Sequence, residues 1–269
     1  MQAVEDDLAL IKAAAREAGR IARGYFGNHP RAWTKEADSP VTEADIAADR
    51  ALFARLTTAR PDYGWLSEEA ADTPDRLRRK RLFIVDPLDG TRGFLEGSPD
   101  WCVSVAVVED GRPLAGVLFV PVREELFEAV AGGGARLNGL AITLAEPGGA
   151  QSLRFAGPMR HFRALAAAGF RLADRHVTPS LAYRLALVAA GRIDIATATG
   201  NAHDWDLAAA DLLVHEAGGS LCDADGSPIR YNRPDPRHAA LIAAAPWLCQ
   251  AARASVSAAE AAAARMRRS

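Results

Sequence analysis

Residues 81–101, RLFIVDPLDGTRGFLEGSPDW, decide how the chain is read. The apolar run Leu82-Phe83-Ile84-Val85 has charge before it and turn formers after it, which predicts a buried strand rather than a helix. Asp86 and Asp89 follow where that strand is expected to end, with Pro87 stiffening the backbone between them. Gly90 permits a tight turn, and Thr91 can cap a short helix reaching Leu95 that Gly97 and Pro99 close. Carboxylates on a strand-to-turn junction are rigidly held yet face solvent, as oxygen ligands of a hard cation such as Mg²⁺ must be. The N–H groups of Gly90 and Thr91, at a helix start, would seat a phosphate oxygen. A bare D-x-x-D-G is more often a capped turn alone; the longer string directly after an apolar strand is the more specific signal.

Three further stretches carry carboxylates toward the same chemistry. Tyr63-Gly64-Trp65-Leu66 reads as a strand with Ser67-Glu68-Glu69 at its end, so two neighbouring strand ends bring three or four acids together. Such a group repels itself unless cations lie between its members. Thr42 with Asp45 three residues on reads as a capping box opening a helix to about residue 59. In Thr199-Gly200-Asn201-Ala202-His203-Asp204-Trp205-Asp206, the last aspartate opens a helix to residue 217, where it is either an N-cap or a ligand. His203 is either a loop histidine or a contact to substrate.

With these residues in place, the chain resembles the inositol monophosphatase family, Mg²⁺-dependent and typically lithium-sensitive phosphatases that include 3′(2′),5′-bisphosphate nucleotidases. Asp86-Pro87-Leu88-Asp89-Gly90-Thr91 matches its first signature. Trp205-Asp206-Leu207-Ala208-Ala209 followed by Glu216-Ala217-Gly218-Gly219 matches its second. The resemblance implies an α/β fold layered α/β/α/β/α, and two or three Mg²⁺ ions on Glu68, Asp86, Asp89, Asp206 and the Leu88 carbonyl. It also implies that Asp45 holds Thr91 to orient the attacking water, and that a loop near Lys35 closes over the site. The N–H groups of Gly90 and Thr91 would then stabilise the phosphoryl charge.

Composition is consistent with a globular enzyme. The 269 residues, 49% of them apolar, can bury a large core, and a net charge of −2 suggests neither nucleic-acid polymers nor membranes as partners. Cys102, Cys222 and Cys249 are odd in number and widely spaced, which speaks for reduced core thiols. The N-terminus lacks the pattern of a signal peptide, and no run of about eighteen apolar residues occurs, so the expected location is the cytoplasm.

Along the rest of the chain, residues 4–26 and 247–267 read as helices, and 71–80 as a charged surface loop. Residues 102–108, 114–120 and 124–130 read as strands, while Gly132-Gly133-Gly134 and Asn138-Gly139 read as turns. Glu146-Pro147-Gly148-Gly149 is the expected boundary between an N-terminal half, 1–148, carrying the main metal site, and a C-terminal half, 149–269, completing the pocket. In the latter, a strand at 153–156, helices at 159–168 and 181–190, and strands at 193–198, 220–223 and 240–244 form a second α/β layer.

The expected function is hydrolysis of a small phosphate ester. A 3′(2′),5′-bisphosphate nucleotide, adenosine 3′,5′-bisphosphate going to AMP, is favoured over an inositol or sugar phosphate. Inositol-type members carry a glutamate at the position of Thr199, and a threonine offers no charged acceptor to ring hydroxyls. Arg160 and His161, with Arg163 in the same basic turn and Arg184 adding to it, would hold the second phosphate. From another class, a non-catalytic phosphate-binding scaffold is disfavoured because every ligand is present. Composition leaves a homodimer open.

Overall fold

Apolar side chains at helical spacing build the outermost layer. α1 (Gln2–Tyr25) buries Leu8, Ile11, Ala15, Ala18 and Ala22 along one stripe, the pattern of a helix lying on a core. The computed structural model describes residues 2–34, 40–144 and 152–266. A short antiparallel ribbon of β1 (Ala32–Thr34) and β2 (Pro40–Thr42) leads into α2 (Glu43–Ala59), which packs beside α1.

Both helices cover one face of a seven-stranded sheet. It begins with β3 (Gly64–Ser67) and β4 (Arg81–Asp89), continues after α3 (Thr91–Leu95) with β5 (Cys102–Glu109) and β6 (Arg112–Val120), and ends with β7 (Glu125–Val130), β8 (Gly134–Leu137) and β9 (Leu140–Ile142). Only β3 and β4 run parallel; every later pair is antiparallel. Side chains alternate between the faces. Phe83, Val85, Val103, Val105 and Val107 join α1 and α2, while Leu82, Ile84, Ala106 and Val108 turn to the opposite side. Burial on both faces explains why these strands read as nearly unbroken apolar runs.

The second half supplies β10 (Leu153–Ala156), α4 (Met159–Ala167), β11 (Leu172–His176), α5 (Leu181–Ala189), β12 (Ile195–Ala198), α6 (Asp204–Glu216), β13 (Ser220–Asp223), β14 (Leu241–Ala244) and α7 (Pro246–Met266). Its strands form a five-stranded sheet in the order β11-β10-β12-β14-β13. α5 and α6 are sandwiched between the sheets, and α4 with α7 cover the far face. The layers are therefore α/β/α/β/α, as expected. At Gly116 an added Cβ would lie 2.9 Å from Ala209 Cα. That close approach seats α6 directly on the first sheet, with its N-terminus beside the end of β4.

Several readings shift in detail. Residues 71–80 contain a 3₁₀ turn, Pro74–Arg78, because Arg76 is buried and bonded to Asp72, Asn232 and the Arg233 carbonyl. β11 was not anticipated; it is an edge strand whose LADRH sequence carries little apolar signal. Asn138 and Gly139, both at positive φ, turn between the strands β8 and β9. Lys35 and the expected boundary at residues 146–149 lie outside the described residues.

Candidate active site

A bulge in β4 makes the acidic cluster. Asp86 pairs with Ser104 on β5, yet Asp89, three positions on, pairs with Cys102, only two positions away. The extra residue restores the facing that a regular strand would lose, so that Asp86 and Asp89 share one side. Asp86 Oδ1 accepts the Leu88 N–H at 2.9 Å, while Oδ2 is buried and has no hydrogen-bond partner. Asp89 Oδ2 accepts the Ser180 hydroxyl and the Ala182 N–H, both at 2.6 Å, at the start of α5. Gly90 follows with φ of 100°, where an added Cβ would sit 3.1 Å from Ser180 Cβ. A side chain there would be strained by the backbone and crowded against α5. Phe94 and Trp101, their rings 5.0 Å apart at 80°, pin α3 from below.

Thr91 stands at the first turn of α3, its Oγ1 at 3.1 Å from both Asp45 Oδ1 and the Leu88 carbonyl oxygen. Asp45 is itself the third residue of α2. Its Oδ2 accepts the Thr42 N–H at 2.8 Å and the Thr42 hydroxyl at 2.6 Å, closing the capping box. One Asp45 oxygen thus closes the cap and the other meets the Thr91 hydroxyl. Asp206 repeats the device as the third residue of α6, its Oδ2 accepting the His203 N–H at 2.7 Å.

Asp86, Asp89 and Asp206 each present an oxygen within 4.8 Å of the others. They line a cavity of about 280 Å³ together with Glu68, Leu88, Gly90, Thr91 and Arg92. Burial raises the Asp86 carboxyl well above its ordinary value, and the charges of Glu68, Asp89 and Asp206 raise it further. Asp206 is raised well above its ordinary value by burial and then by Asp89, and Asp89 is raised by burial. Crowded, buried carboxylates with an orphaned oxygen are unfavourable unless a cation neutralises them. An all-oxygen donor set of this kind fits a hard divalent ion.

The sequence-derived pocket residues divide. Thr199 lines a second, larger cavity of about 690 Å³ that adjoins the first through Arg92, Pro179 and Asp206. Arg175 and Arg184 line it too. Arg160 and His161 do not. Arg160 Nε and His161 Nε2 both lie 2.6 Å from Glu260 Oε1 on α7, and His161 Nδ1 lies 3.0 Å from Thr197 Oγ1. His161 is fully buried, and burial lowers its pKa despite Glu260. These two residues fasten α4 to α7, which corrects the expectation that they hold a second phosphate. Arg163 is exposed on the same helix. His203 lines neither cavity; its ring stacks on Trp205 at 4.5 Å. Ser180 and Arg175 escaped the sequence reading. A serine immediately before the apolar stretch of α5 was a legible N-cap signal, whereas Arg175 lies on the unanticipated strand.

A five-layer α/β/α/β/α fold thus brings Asp86 and Asp89 at a strand end together with Asp206 at a helix start, a group that could hold a metal ion. Residues 4–261 match the inositol monophosphatase family. The chain is 37% identical over 246 residues to the Nus factor SuhB of Xylella fastidiosa, covering 87% of this chain and 88% of that protein. It is 37% identical over 232 residues to the inositol-1-monophosphatase of Mesorhizobium japonicum, covering 81% and 86%. The crystal structure of extragenic suppressor protein suhB from Bartonella henselae superposes with a TM-score of 0.82 at 30% identity, over 93% of this chain and 98% of that one. The chain belongs to the inositol monophosphatase family, hydrolases of phosphate monoesters. Among the described residues, no helix is long and apolar enough to cross a membrane.

Proposed function

We propose that the chain is a Mg²⁺-dependent phosphomonoesterase with Glu68, Asp86, Asp89, Asp206 and the Leu88 carbonyl holding two or three ions. The observation that carries this is the convergence of buried Asp86 and Asp89 with half-buried Asp206, one oxygen of Asp86 having no hydrogen-bond partner. Ions held there would supply Lewis acidity to a phosphate ester.

The chain's own groups do the rest. Each aspartate has one oxygen fixed by a backbone N–H, so the others cannot swing away. Thr91 Oγ1, held between Asp45 and the Leu88 carbonyl on the cavity wall, orients the attacking water. Burial raises the Asp45 carboxyl, with its bonds from Thr42 and Thr91 opposing the rise, which suits it to take a proton relayed through Thr91. The first hydrogen bond of α3 runs from the Phe94 N–H to the Gly90 carbonyl at 2.9 Å. The N–H groups of Gly90 and Thr91 thus precede the helix ladder and are placed to receive phosphoryl oxygens.

As substrate we favour a 3′(2′),5′-bisphosphate nucleotide. Two observations support it: Thr199 brings no carboxylate to the pocket, and the adjoining cavity of about 690 Å³ suits a nucleoside-sized group. An inositol or sugar phosphate is the second reading, favoured by the name of the Mesorhizobium relative. Phosphate release from a panel of esters, with Mg²⁺ and with EDTA, tests both. Release in EDTA at the Mg²⁺ rate overturns the metal assignment, and a preference for inositol 1-phosphate overturns the nucleotide.

A further inference from the structure

Two of the three cysteines meet at the edge of the second sheet. Cys222 lies on the edge strand β13 and pairs with Ile242 of β14 across the antiparallel ladder. Leu221 turns toward the apolar cluster over α6, so its neighbours Ser220 and Cys222 turn the other way, toward α7. Cys249 stands in the first turn of α7, buried, above the same two strands. Its thiol is 3.2 Å from the Ser220 carbonyl oxygen and 3.6 Å from that of Ile242, the residue paired with Cys222. Cys222 packs against the cluster that Cys249 helps to form, and the two thiols interact by a hydrogen bond.

The members of this pair are not equivalent. Cys249 is enclosed, whereas Cys222 is half-buried and lines a cavity of about 630 Å³ with His215, Leu221 and Pro228. That cavity shares no wall residue with the two described above. The bond with Cys249 lowers the Cys222 pKa; burial opposes it, Arg253 one turn along α7 adds to the lowering, and Asp223 and Asp225 oppose. The same bond, and then burial, push the Cys249 thiol up. One sulfur is therefore the readier thiolate and faces a cavity, while the sulfur behind it keeps its proton.

We infer that Cys222 and Cys249 form a peroxide-reactive dithiol, in which Cys222 is oxidised from the cavity and Cys249 resolves it into a disulfide that fastens the first turn of α7 to β13. The oxidant is a hydroperoxide. The Cys222 thiolate attacks one peroxide oxygen, the O–O bond breaks, and the other oxygen leaves as hydroxide or alkoxide and takes up a proton. The Cys249 sulfur then attacks the sulfur of the Cys222 sulfenic acid. The S–O bond breaks, and the departing hydroxide joins the Cys249 proton as water. Two electrons pass from the dithiol to the peroxide. Cys102 is the internal control: it is buried beside Ser180 and lies on the wall of none of these cavities.

The test treats the full chain, reduced and then freed of reductant, with one equivalent of hydrogen peroxide. Free thiols are blocked with N-ethylmaleimide in denaturant before digestion with trypsin. Fragments 193–230 and 238–253, which carry Cys222 and Cys249, should appear joined and about 2 Da lighter than their sum, with Cys102 blocked as a free thiol. Oxidation of the pair should outrun that of Cys102 by about tenfold or more. In Cys249→Ser, Cys222 should halt at the sulfenic acid and be captured by dimedone, while Cys222→Ser should leave Cys249 a free thiol. Cys249→Ala repeats the first variant without a hydroxyl in the buried turn, and the wild-type digest decides even where a variant does not fold. Three free thiols after treatment, oxidation of Cys102 before the pair, or a link between two copies of the chain overturns the proposal. Dimedone capture of Cys222 in the wild type as full as in Cys249→Ser overturns it as well, because Cys249 would then resolve nothing.

Discussion

Replacing Asp45 by asparagine separates two roles that its oxygens divide. Oδ2 accepts the Thr42 N–H and hydroxyl, and Oδ1 accepts the Thr91 hydroxyl at 3.1 Å. An asparagine can keep its carbonyl oxygen on Thr42, so the cap of α2 survives. The lost charge was itself penalised by burial, and the net stability change should stay within about 1 kcal/mol. At the other end an amide now donates where a carboxylate accepted. Thr91 must then turn its proton away, toward the Leu88 carbonyl, and the relay is broken. Turnover should fall about a hundredfold or more, the usual worth of a placed acid–base group. Asp45→Ala loses the relay and the cap together, and leaves the buried Thr42 N–H without its acceptor. That costs about 1 kcal/mol for the cap and about 1–3 kcal/mol for the orphaned donor. Urea unfolding of both variants, paired with Mg²⁺-dependent phosphate release, reads the two effects separately. Adding Thr91→Ala to Asp45→Asn should cost little further if the pair acts as one unit. Wild-type turnover in Asp45→Asn, or strictly additive losses in the double variant, would show that Asp45 is a cap and nothing more.

Asp89→Asn should abolish Mg²⁺-dependent release while the variant folds normally; full activity in EDTA would end the metal reading. The folded state raises the carboxyls of Asp86, Asp89 and Asp206, so it holds protons that the unfolded chain releases. Metal-free stability from these groups is therefore fully present below the ordinary carboxylate value and is lost as pH rises through the raised values, with Mg²⁺ flattening the slope. Melting between about pH 5 and about pH 8 in EDTA checks this, and a level profile contradicts it. Far from the site, burial pushes Asp211 up to about 6 against the hydrogen bond from Tyr231. Asp211→Asn should gain about 1 kcal/mol more near pH 8 than near pH 5, since the wild type loses stability as pH rises from the ordinary carboxylate value through the raised one near 6; equal gains at both pH values would refute it.

What the sequence made legible is local, and what it hid is not. The strand at residues 82–85, the turn at Gly90 and the cap at Thr42 rest on neighbours within a few positions, and each formed as read. The partner of Arg160 is Glu260, 100 positions away, and buried Arg76, paired with Asp72 nearby, is tied across the fold to Asn232, 156 positions away. No spacing rule reaches that far, so a basic turn passed for a phosphate seat and an arginine anchor passed for a solvated loop. β11 was hidden for another reason. As an edge strand it is covered on few sides and carries charge, so its period-2 pattern is faint.

The bulge between Asp86 and Asp89 shows why motif and geometry agree without being the same statement. Spacing by three in a regular strand would send the two carboxylates to opposite faces, and only the register shift against Ser104 and Cys102 returns them to one. The same economy of position recurs around the site. Asp45 and Asp206 are third residues of their helices, Asp89 accepts from the first turn of α5, and Asp86 closes its own turn. In each case a helix or turn needed an acceptor for a backbone N–H, and a carboxylate has a second oxygen. For Asp206, cap and ligand were alternative readings, but a carboxylate fixed through one oxygen is the kind best able to hold the other still. The structural role thus serves the proposed chemical one, because the oxygen that closes the cap fixes the direction of the other.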